Sequence, residues 1–197
     1  MNYLAHAYLS FDHDELLIGN MISDFVKGKK QFDFPQAIQK GIKLHRTIDT
    51  FTDEHDVTKE AKLFLKPAVG LYSGAFIDVV YDHFLANDKT QFTDTALKQF
   101  AARTYTILQT YHDVLPSSFQ VLLPYMIEQN WLYNYKTIWG TQQSFGGIVR
   151  RAKYLETSKE AFEAFEKNYI PLQKCYTDFF PSLKEFAAQQ LQAIIQS

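Results

Sequence analysis

The chain has 197 residues, of which 46% are hydrophobic, 16% aromatic and 21% charged. This composition can bury a sizeable core, and it excludes an intrinsically disordered chain. The net charge of −2 excludes an overall basic surface for nucleic acid. The single cysteine, Cys175, excludes an internal disulfide and a thiolate metal cluster.

Signals for export or membrane insertion are not found in the sequence. The first residues, MNYLAHAYLS, have no basic region of the kind that opens a signal peptide. No stretch approaches the roughly 18 consecutive apolar residues of a membrane helix, and a lone cysteine suits a reducing compartment. We therefore expect a cytoplasmic protein that does not bind membranes.

Helical periodicity dominates the first half of the chain, and strand signals are few. Proline favours the first turn of a helix and glycine favours its end, so these two residue types help to set the predicted boundaries. The predicted helices are residues 2–10, Asp12 or Asp14 to about Lys27 with Gly28 as the end, Pro35 to about Asp53, a shorter helix to about Lys66 before Pro67, and about Ser73 to Asn87.

The second half continues the helical pattern. Thr93 or Asp94 is expected to cap a helix that runs to about His112. Further helices are predicted at roughly 117–135, 141–154, 158–173 and 178–196, with Gly140, Gly146-Gly147, Pro171 and Pro181 as helix breakers. Because no linker, repeat or low-complexity tract divides the chain, residues 1–197 are expected to form a single all-α domain, a multi-helix bundle.

Polar residues four positions apart recur inside apolar helical segments, and residues at that spacing share one face of a helix. A histidine, His6, also interrupts the apolar run YLAHAYL. The spaced pairs are Asn20 and Asp24 in GNMISDF, His45 and Asp49 in HRTID, and Asp78 and Asp82 in DVVYDHF, where His83 is adjacent.

These four segments together indicate a metal site. Buried carboxylates are unfavourable unless they are paired or bind a metal, and one shared cation would satisfy all of them. Oxygen and imidazole ligands without thiolates favour Mn²⁺, Fe²⁺, Mg²⁺ or Zn²⁺. Such an ion lowers the pKa of a bound water or polarises a phosphoryl oxygen, and Arg46 is expected to bind a phosphate through its planar guanidinium.

Each segment alone has a less specific interpretation. His6 alone fits a hydrogen-bonded core histidine, and His45 with Asp49 fits an ion pair on a helix surface. The histidines in polar, loop-like surroundings are interpreted as solvated; they are His13, His55 and His112. The clustered aromatic residues are interpreted as core; they are Trp131, Tyr133 and Tyr135. Glycine-rich phosphate loops and the G-x-S-x-G nucleophile elbow are absent from the sequence.

The N-terminal segments, in their order and spacing, carry a resemblance. They are MNYLAHAYLS at 1–10, GNMISDFVKG at 19–28, GIKLHRTIDTFTD at 41–53 and DVVYDHFL at 78–85. The later EQNWLYNY at 128–135 and FFPSLKEF at 179–186 also fit, less specifically. Together these segments resemble the acyl carrier protein phosphodiesterases, also called acyl carrier protein hydrolases, over nearly the whole chain.

The resemblance implies an all-helical cytoplasmic enzyme, a divergent member of the HD-type metal-dependent phosphohydrolases. It implies hydrolysis of the phosphodiester that joins 4′-phosphopantetheine to a serine of holo-acyl carrier protein, usually with Mn²⁺. By position, the family's metal or catalytic set corresponds to Asp24, His45, Asp82 and His83. Its other polar motif positions correspond to His6, Asn20, Arg46, Asp49 and Asp78.

The residues and the resemblance together lead to a hypothesis for the site. The expected metal ligands are His6, Asp24, His45, Asp82 and His83. Asp49 or Asp78 is expected to orient a ligand imidazole or the attacking water, and Arg46 to stabilise the phosphoryl charge. The expected substrate contacts are Asn20, Lys43 and Lys27. Basic residues that include Lys29, Lys30 and Arg150-Arg151 are expected to meet the acidic carrier protein.

Two alternatives stay open at this point. The first keeps an HD-type metal site and changes the substrate to a nucleotide or another small phosphoester, because a fold and its site can be retained while the substrate changes. The second is a non-catalytic helical binding module, in which the buried polar residues are only structural.

Overall fold

The computed structural model describes residues 1–196, and they contain helices and turns but no strand. The prediction of an all-α, multi-helix fold is confirmed. Ser197, the last residue of the predicted domain, lies outside the described residues. The helices are α1 Tyr3–Tyr8, α2 Asp14–Ile22, α3 Gln36–Glu54, α4 Asp56–Val69, α5 Ser73–Asn87, α6 Asp94–Thr110, α7 Ser117–Glu128, α8 Trp131–Asn134, α9 Ile138–Arg151, α10 Lys159–Lys167 and α11 Tyr169–Gln196.

Helices α2 and α3 approach each other more closely than ordinary side chains allow, at Gly19 and Gly41. A Cβ atom on Gly19 would lie 2.0 Å from the carbonyl oxygen of Ile38, and a Cβ on Gly41 would lie 2.2 Å from that of Leu16. Only glycine permits such a backbone contact. The contact brings residue 20 of α2 beside residue 45 of α3, where the candidate site is formed.

Helix α5 lies inside the molecule and packs against α1, α4 and α9. Its residues from Phe76 to Ala86 are buried, apart from the half-buried Asp78. This explains why the segment is apolar on all sides, since a helix surrounded by other helices has no solvent face. The side chains of Asp78, Asp82 and His83 therefore need hydrogen-bond or charge partners within the protein.

Several predicted boundaries are wrong. The second helix begins at Asp14, after His13, whose side chain makes no capping hydrogen bond, and it ends at Ile22 rather than near Lys27, because the chain turns into short 3₁₀ segments at Ser23–Phe25 and Gly28–Asp33. The predicted helix 117–135 is interrupted at Asn130, which has a left-handed backbone (φ 46°). By contrast, Thr93 caps α6 as predicted, since its side chain accepts a hydrogen bond from the backbone of Ala96.

Three prolines that were expected to end helices lie inside them. Pro67 is within α4, which continues to Val69, and Pro171 and Pro181 are both within α11, so the break predicted between residues 173 and 178 lies instead at Asn168. The residues on both sides of Pro181, such as Phe180 and Leu183, are buried in the core. Core packing over the 28 residues of α11 therefore outweighs the local preference of one proline, as tertiary context commonly does.

One segment, Asp56–Asn87, contains an apolar window that is long enough to cross a membrane by length and composition alone. In the structure this segment is two helices joined at Gly70, whose φ is 56°. Its second helix is the buried α5, and a core helix passes the same test of length and composition.

Candidate metal centre

The imidazole of His6, in α1, is held in one orientation by Asn20 of α2. The Asn20 amide nitrogen donates to the His6 carbonyl (2.8 Å) and to the Ser10 hydroxyl (3.1 Å), so the amide oxygen accepts from His6 Nδ1 (2.8 Å). The proton of the neutral ring is therefore on Nδ1. The other nitrogen, Nε2, lies 3.1 Å from Asp49 Oδ1 and 3.1 Å from the Met1 carbonyl oxygen.

His45 of α3 is fixed in a similar way. Its Nδ1 donates to the backbone carbonyl of Asn20 at 2.7 Å, which leaves Nε2 to face two carboxylates. Nε2 lies 3.0 Å from Asp49 Oδ2 and 3.3 Å from Asp24 Oδ1. Although it is buried, this nitrogen has no hydrogen-bond partner of good geometry within residues 1–196. The His45 and His6 rings are stacked, with centroids 3.8 Å apart.

These atoms form an arrangement that fits a divalent cation. The lone pair of a neutral Nε2 and the oxygens of a carboxylate repel each other unless a proton or a cation lies between them. One ligand atom each from His6, His45 and Asp49 lies within 4.8 Å of the others. Two imidazoles whose Nδ1 atoms are hydrogen-bonded elsewhere, with a carboxylate, are a common ligand set for such metals.

The electrostatics of the cluster show where positive charge is favoured. Burial alone would lower the pKa of His45, but Asp24 and Asp49 outweigh it and raise the pKa to about 9. Burial and the neighbouring His45 lower the pKa of His6 to about 4. Burial opposes ionisation of Asp49, but His6 and the Met1 amine keep the pKa of this carboxyl far below its usual range. Without a metal, the excess proton is held by His45.

The site is open on the side of Asp24. This residue was predicted to share a helix face with Asn20, but it lies on the 3₁₀ turn after α2. Its side chain is 74% exposed and that of Asp49 is 38% exposed, whereas both histidines are buried. The His45 ring, whose Nε2 lies 3.3 Å away, lowers the pKa of Asp24. Solvent or a substrate therefore reaches the cluster past these two carboxylates.

Arg46 is directed away from the cluster. Its guanidinium donates to the carbonyl of Val26 (2.9 Å) and to the side chain of Gln31 (2.8 Å). These hydrogen bonds hold the segment that follows Asp24 in place, so Arg46 helps to position the Asp24 carboxylate. Lys27 and Lys43 are exposed, and Lys43 lines an open cleft on the outer face of α3.

Asp78 lies beside the cluster but binds the α-amino group of Met1. Its Oδ1 accepts from the amine at 2.9 Å, and Asp49 Oδ1 lies 3.4 Å from the same nitrogen. Burial alone would lower the pKa of the amine, but the two carboxylates raise it to about 11. The amine and Asp78 thereby support Asp49 from the side opposite to solvent access.

Asp82 and His83 are buried, and the structure does not bring them into the cluster. The carboxylate of Asp82 accepts backbone N–H groups at the start of α1, from Asn2 (3.3 Å), Leu4 (2.7 Å) and Ala5 (3.2 Å). Burial raises the pKa of Asp82 to about 7, against the effect of the Met1 amine and these donors.

His83 has protein partners at both ring nitrogens. Nδ1 is 2.8 Å from the Tyr135 carbonyl and 3.1 Å from the Thr141 hydroxyl, and Nε2 is 2.9 Å from the Tyr169 hydroxyl. Burial lowers the pKa of His83. The ring therefore connects α5 to α9 and α11 in its neutral form.

The histidines interpreted as solvated have varied positions. His13 and His112 are exposed, as expected. His55 is half-buried and caps α4, where its Nδ1 accepts from the backbone of Val57 at 3.3 Å.

A narrow groove beside the cluster was not anticipated. It is bounded by the start of α1, by α8 and by α9, and Trp131 and Tyr135 line it rather than serving only as core. A stripe of small and polar residues on α9, which includes Gly140 and Gly147, forms one wall. The helical spacing of these small residues indicates a shared helix face that could line a groove, but these glycines were interpreted only as helix breakers.

Comparisons with known proteins agree on one family. A family model described as acyl carrier protein phosphodiesterase matches residues 1–183. A Yersinia pestis protein of that name is 31% identical over 93% of this chain and 95% of its own length. One from Klebsiella pneumoniae subsp. pneumoniae is 30% identical over 95% of this chain and 97% of its own. No solved structure matches the chain.

Proposed function

Because the chain belongs to the acyl carrier protein phosphodiesterase family, we propose that it hydrolyses holo-acyl carrier protein to the apo form and 4′-phosphopantetheine. The observation that supports a hydrolytic site is the convergence of His6 Nε2 and His45 Nε2 on the Asp49 carboxylate. The reaction is proposed to take place in the cytoplasm, in the HD-type manner expected from the sequence.

The proposed ligands of a divalent cation are His6, His45 and Asp49, with Asp24 as a fourth on the exposed side. When bound, such an ion supplies Lewis-acid chemistry, since it acidifies water and withdraws charge from a phosphoryl oxygen. Mn²⁺ is the first candidate, and Mg²⁺, Fe²⁺ and Zn²⁺ also suit nitrogen and oxygen ligands. Asp82 and His83, which were predicted as ligands, are assigned here to structural roles because their polar atoms have protein partners.

In the proposed reaction a water oxygen bonds to phosphorus and the bond from phosphorus to the serine oxygen breaks. One proton of the water goes to a carboxylate, which then passes it to the serine oxygen, so that the serine leaves as a hydroxyl. Asp24 is the exposed carboxylate of the site and its Oδ1 faces His45, so we assign the water proton to its other oxygen, Oδ2.

The other predicted residues receive supporting roles. Asn20 orients both histidines instead of contacting the substrate, and Asp78 holds the Met1 amine beside Asp49. Arg46 positions the Asp24 turn. Arg151 is a better candidate than Arg46 for the phosphoryl oxygens, because it lines a groove together with Tyr3 at the start of α1, whereas the Arg46 guanidinium is held by Val26 and Gln31.

The carrier protein is proposed to dock on the exposed basic residues that follow Asp24. Lys27, Lys29 and Lys30 are all exposed on or beside the 3₁₀ segment Gly28–Asp33. An acidic partner would approach this side by electrostatic steering, so its association should weaken as salt is added.

The decisive experiment uses metal-stripped protein and holo-acyl carrier protein, with and without Mn²⁺, and follows the apo product by intact mass. We expect Mn²⁺-dependent loss of phosphopantetheine that is abolished by Asp49→Ala. Activity on bis-p-nitrophenyl phosphate but not on the carrier protein would favour the small-phosphoester alternative. Absence of both activities and of metal binding would favour the non-catalytic module.

A further inference from the structure

The groove between α1, α8 and α9 has an unusual aromatic lining. The chain contains only two tryptophans, and both Trp131 and Trp139 line this groove. Trp139 is 54% exposed, and Trp131 is half-buried beside Tyr3, with ring centroids 6.3 Å apart. Exposed tryptophans beside a concave surface are typical of ligand and partner sites.

One end of the groove adjoins the candidate metal centre. Asn2 and Tyr3 form that end, and Asn2 directly follows Met1, whose carbonyl lies 3.1 Å from His6 Nε2. A molecule with its phosphate at the cluster could therefore extend into the groove without leaving the protein surface.

The groove has positive charge at its margin. Arg150 and Arg151 both line it, and neither is ion-paired with a carboxylate in the part of the chain that the structure describes. Burial raises the pKa of Tyr3, and the nearby Arg151 opposes this rise. Guanidinium groups without a carboxylate partner are suited to phosphate, because their planar N–H donors match its oxygens.

The wall formed by the middle of α9 is polar and lacks bulky side chains. Along α9 the groove is lined by Gln143, Ser144 and Gly147, which lie on one helix face. The enclosed part of the groove has a volume of about 60 Å³, below the ~300 Å³ or more of typical small-molecule pockets, so it suits only a thin ligand that stays partly exposed to solvent. Its narrow shape suits an extended chain with amide groups better than a ring system.

We propose that this groove binds the phosphopantetheine arm of the substrate, with its phosphate towards Arg151 and the metal cluster and its linear chain along α9. The inference rests on the proposed function for the identity of the ligand. Charge complementarity at Arg151, and the position of Asn2 next to Met1, whose carbonyl contacts His6, support this occupant over an apolar segment of a partner protein.

A binding measurement tests the groove without turnover. Metal-stripped protein is titrated with 4′-phosphopantetheine while tryptophan emission is recorded, and both tryptophans of the chain report on the groove. We expect a saturable change in emission, weaker binding of pantetheine, and a loss of about tenfold in phosphopantetheine affinity in Arg151→Ala. The absence of any change at millimolar ligand would overturn the proposal.

A matched pair of variants tests the position of the arm. Gly147 lines the groove and the adjacent Gly146 does not. A Cβ on either glycine would meet only the Arg150 side chain, at 3.6 Å and 3.7 Å. We expect Gly147→Leu to raise KM for holo-acyl carrier protein and to weaken phosphopantetheine binding by at least about tenfold, whereas Gly146→Leu stays near the wild type. Trp139→Ala, which removes an exposed side chain, should show the same direction as Gly147→Leu.

The two proposals fail in different ways. If the wild type hydrolyses the carrier protein but Gly147→Leu and Trp139→Ala leave KM and binding unchanged, the groove proposal is wrong and the proposed function stands. If the wild type binds phosphopantetheine in the groove and loses it in Gly147→Leu, yet releases no apo-carrier protein with Mn²⁺, the groove proposal stands and the proposed function is wrong.

Discussion

The His6–His45–Asp49 cluster and the Asp82–His83 pair are both made of buried acids and imidazoles, but their polar atoms are used differently. In the cluster, His45 Nε2 lies between two carboxylates and has no hydrogen-bond partner of good geometry among the described residues, and His6 Nε2 faces Asp49 Oδ1. In the pair, Asp82 accepts three backbone N–H groups and His83 has partners at both nitrogens. Polar atoms that lack a well-formed hydrogen bond within the protein, rather than burial alone, distinguish a candidate metal centre from a structural network.

The largest effect is expected from Asp49→Ala in the cluster. The hydrolysis rate of holo-acyl carrier protein should fall by about 10³-fold, because a metal centre contributes several kcal/mol and each ~1.4 kcal/mol is tenfold in rate. Intact-mass initial rates measure this, with circular dichroism to show that the variant is folded. A rate within about tenfold of the wild type would remove Asp49 from the centre.

The same substitution at Asp82 should act on stability instead. Asp82→Ala leaves three backbone N–H groups at the start of α1 without their acceptor, so the free energy of unfolding should fall by about 3 kcal/mol. Urea denaturation measures the loss. Asp82→Asn, which keeps one acceptor oxygen, should be milder.

Metal affinity is the control for Asp82. Calorimetric titration with Mn²⁺ should give Asp82→Asn the wild-type affinity. If that variant loses Mn²⁺ binding as completely as Asp49→Ala does, the division between the two regions is wrong and Asp82 belongs to the centre.

A smaller effect is expected from Asn20→Ala. Removal of the amide frees the His6 ring, and loss of a residue that orients a metal ligand typically lowers metal affinity by about 10–100-fold. The matched control is Asn87→Ala, which removes an amide that donates to two carbonyls near His83. It should leave Mn²⁺ affinity unchanged in the same titration, and equal losses in both variants would point to a general loosening of the core.

The smallest effect concerns pH. The pKa of His45 is raised to about 9 in the folded, metal-free protein, so the folded state holds a proton that the unfolded state releases above about pH 6.5. His45 stabilisation is complete below pH 6.5 and is lost as pH rises through 9. Metal-free protein should therefore lose about 1 kcal/mol of unfolding free energy per pH unit between pH 6.5 and 8.

Chemical denaturation over this range, compared between the wild type and His45→Gln, isolates the contribution of His45. The variant should show a shallower slope. Parallel slopes would mean that His45 is not the group that holds the proton, and the charge distribution assigned to the cluster would need revision.

The sequence predicted the all-helical fold and the buried positions of Asn20, His45 and Asp82, because both follow from the helical period, but Asp24 is exposed instead of directed inward. It placed His45 and Asp49 correctly on one face of α3. It did not separate Asp82 from the cluster, since its three donors come from backbone groups that are distant in sequence and carry no residue signal. Asp24 lies near the site, as predicted, but on a 3₁₀ turn and not on the helix face that it was predicted to share with Asn20. The prediction of its position was therefore right and the reason given for it was wrong.

The contact between Gly19 and Gly41 has a consequence for how the centre is assembled. Because the backbones of α2 and α3 are in direct contact there, the two helices fix the position of the Asn20 carbonyl, which accepts the hydrogen bond from His45 Nδ1. The centre is thus preorganised, and little conformational entropy remains to be lost when a ligand enters. Even Gly41→Ala, which adds a single methyl group outside the cluster, should disturb the geometry of the imidazoles, because it forces the two helices apart.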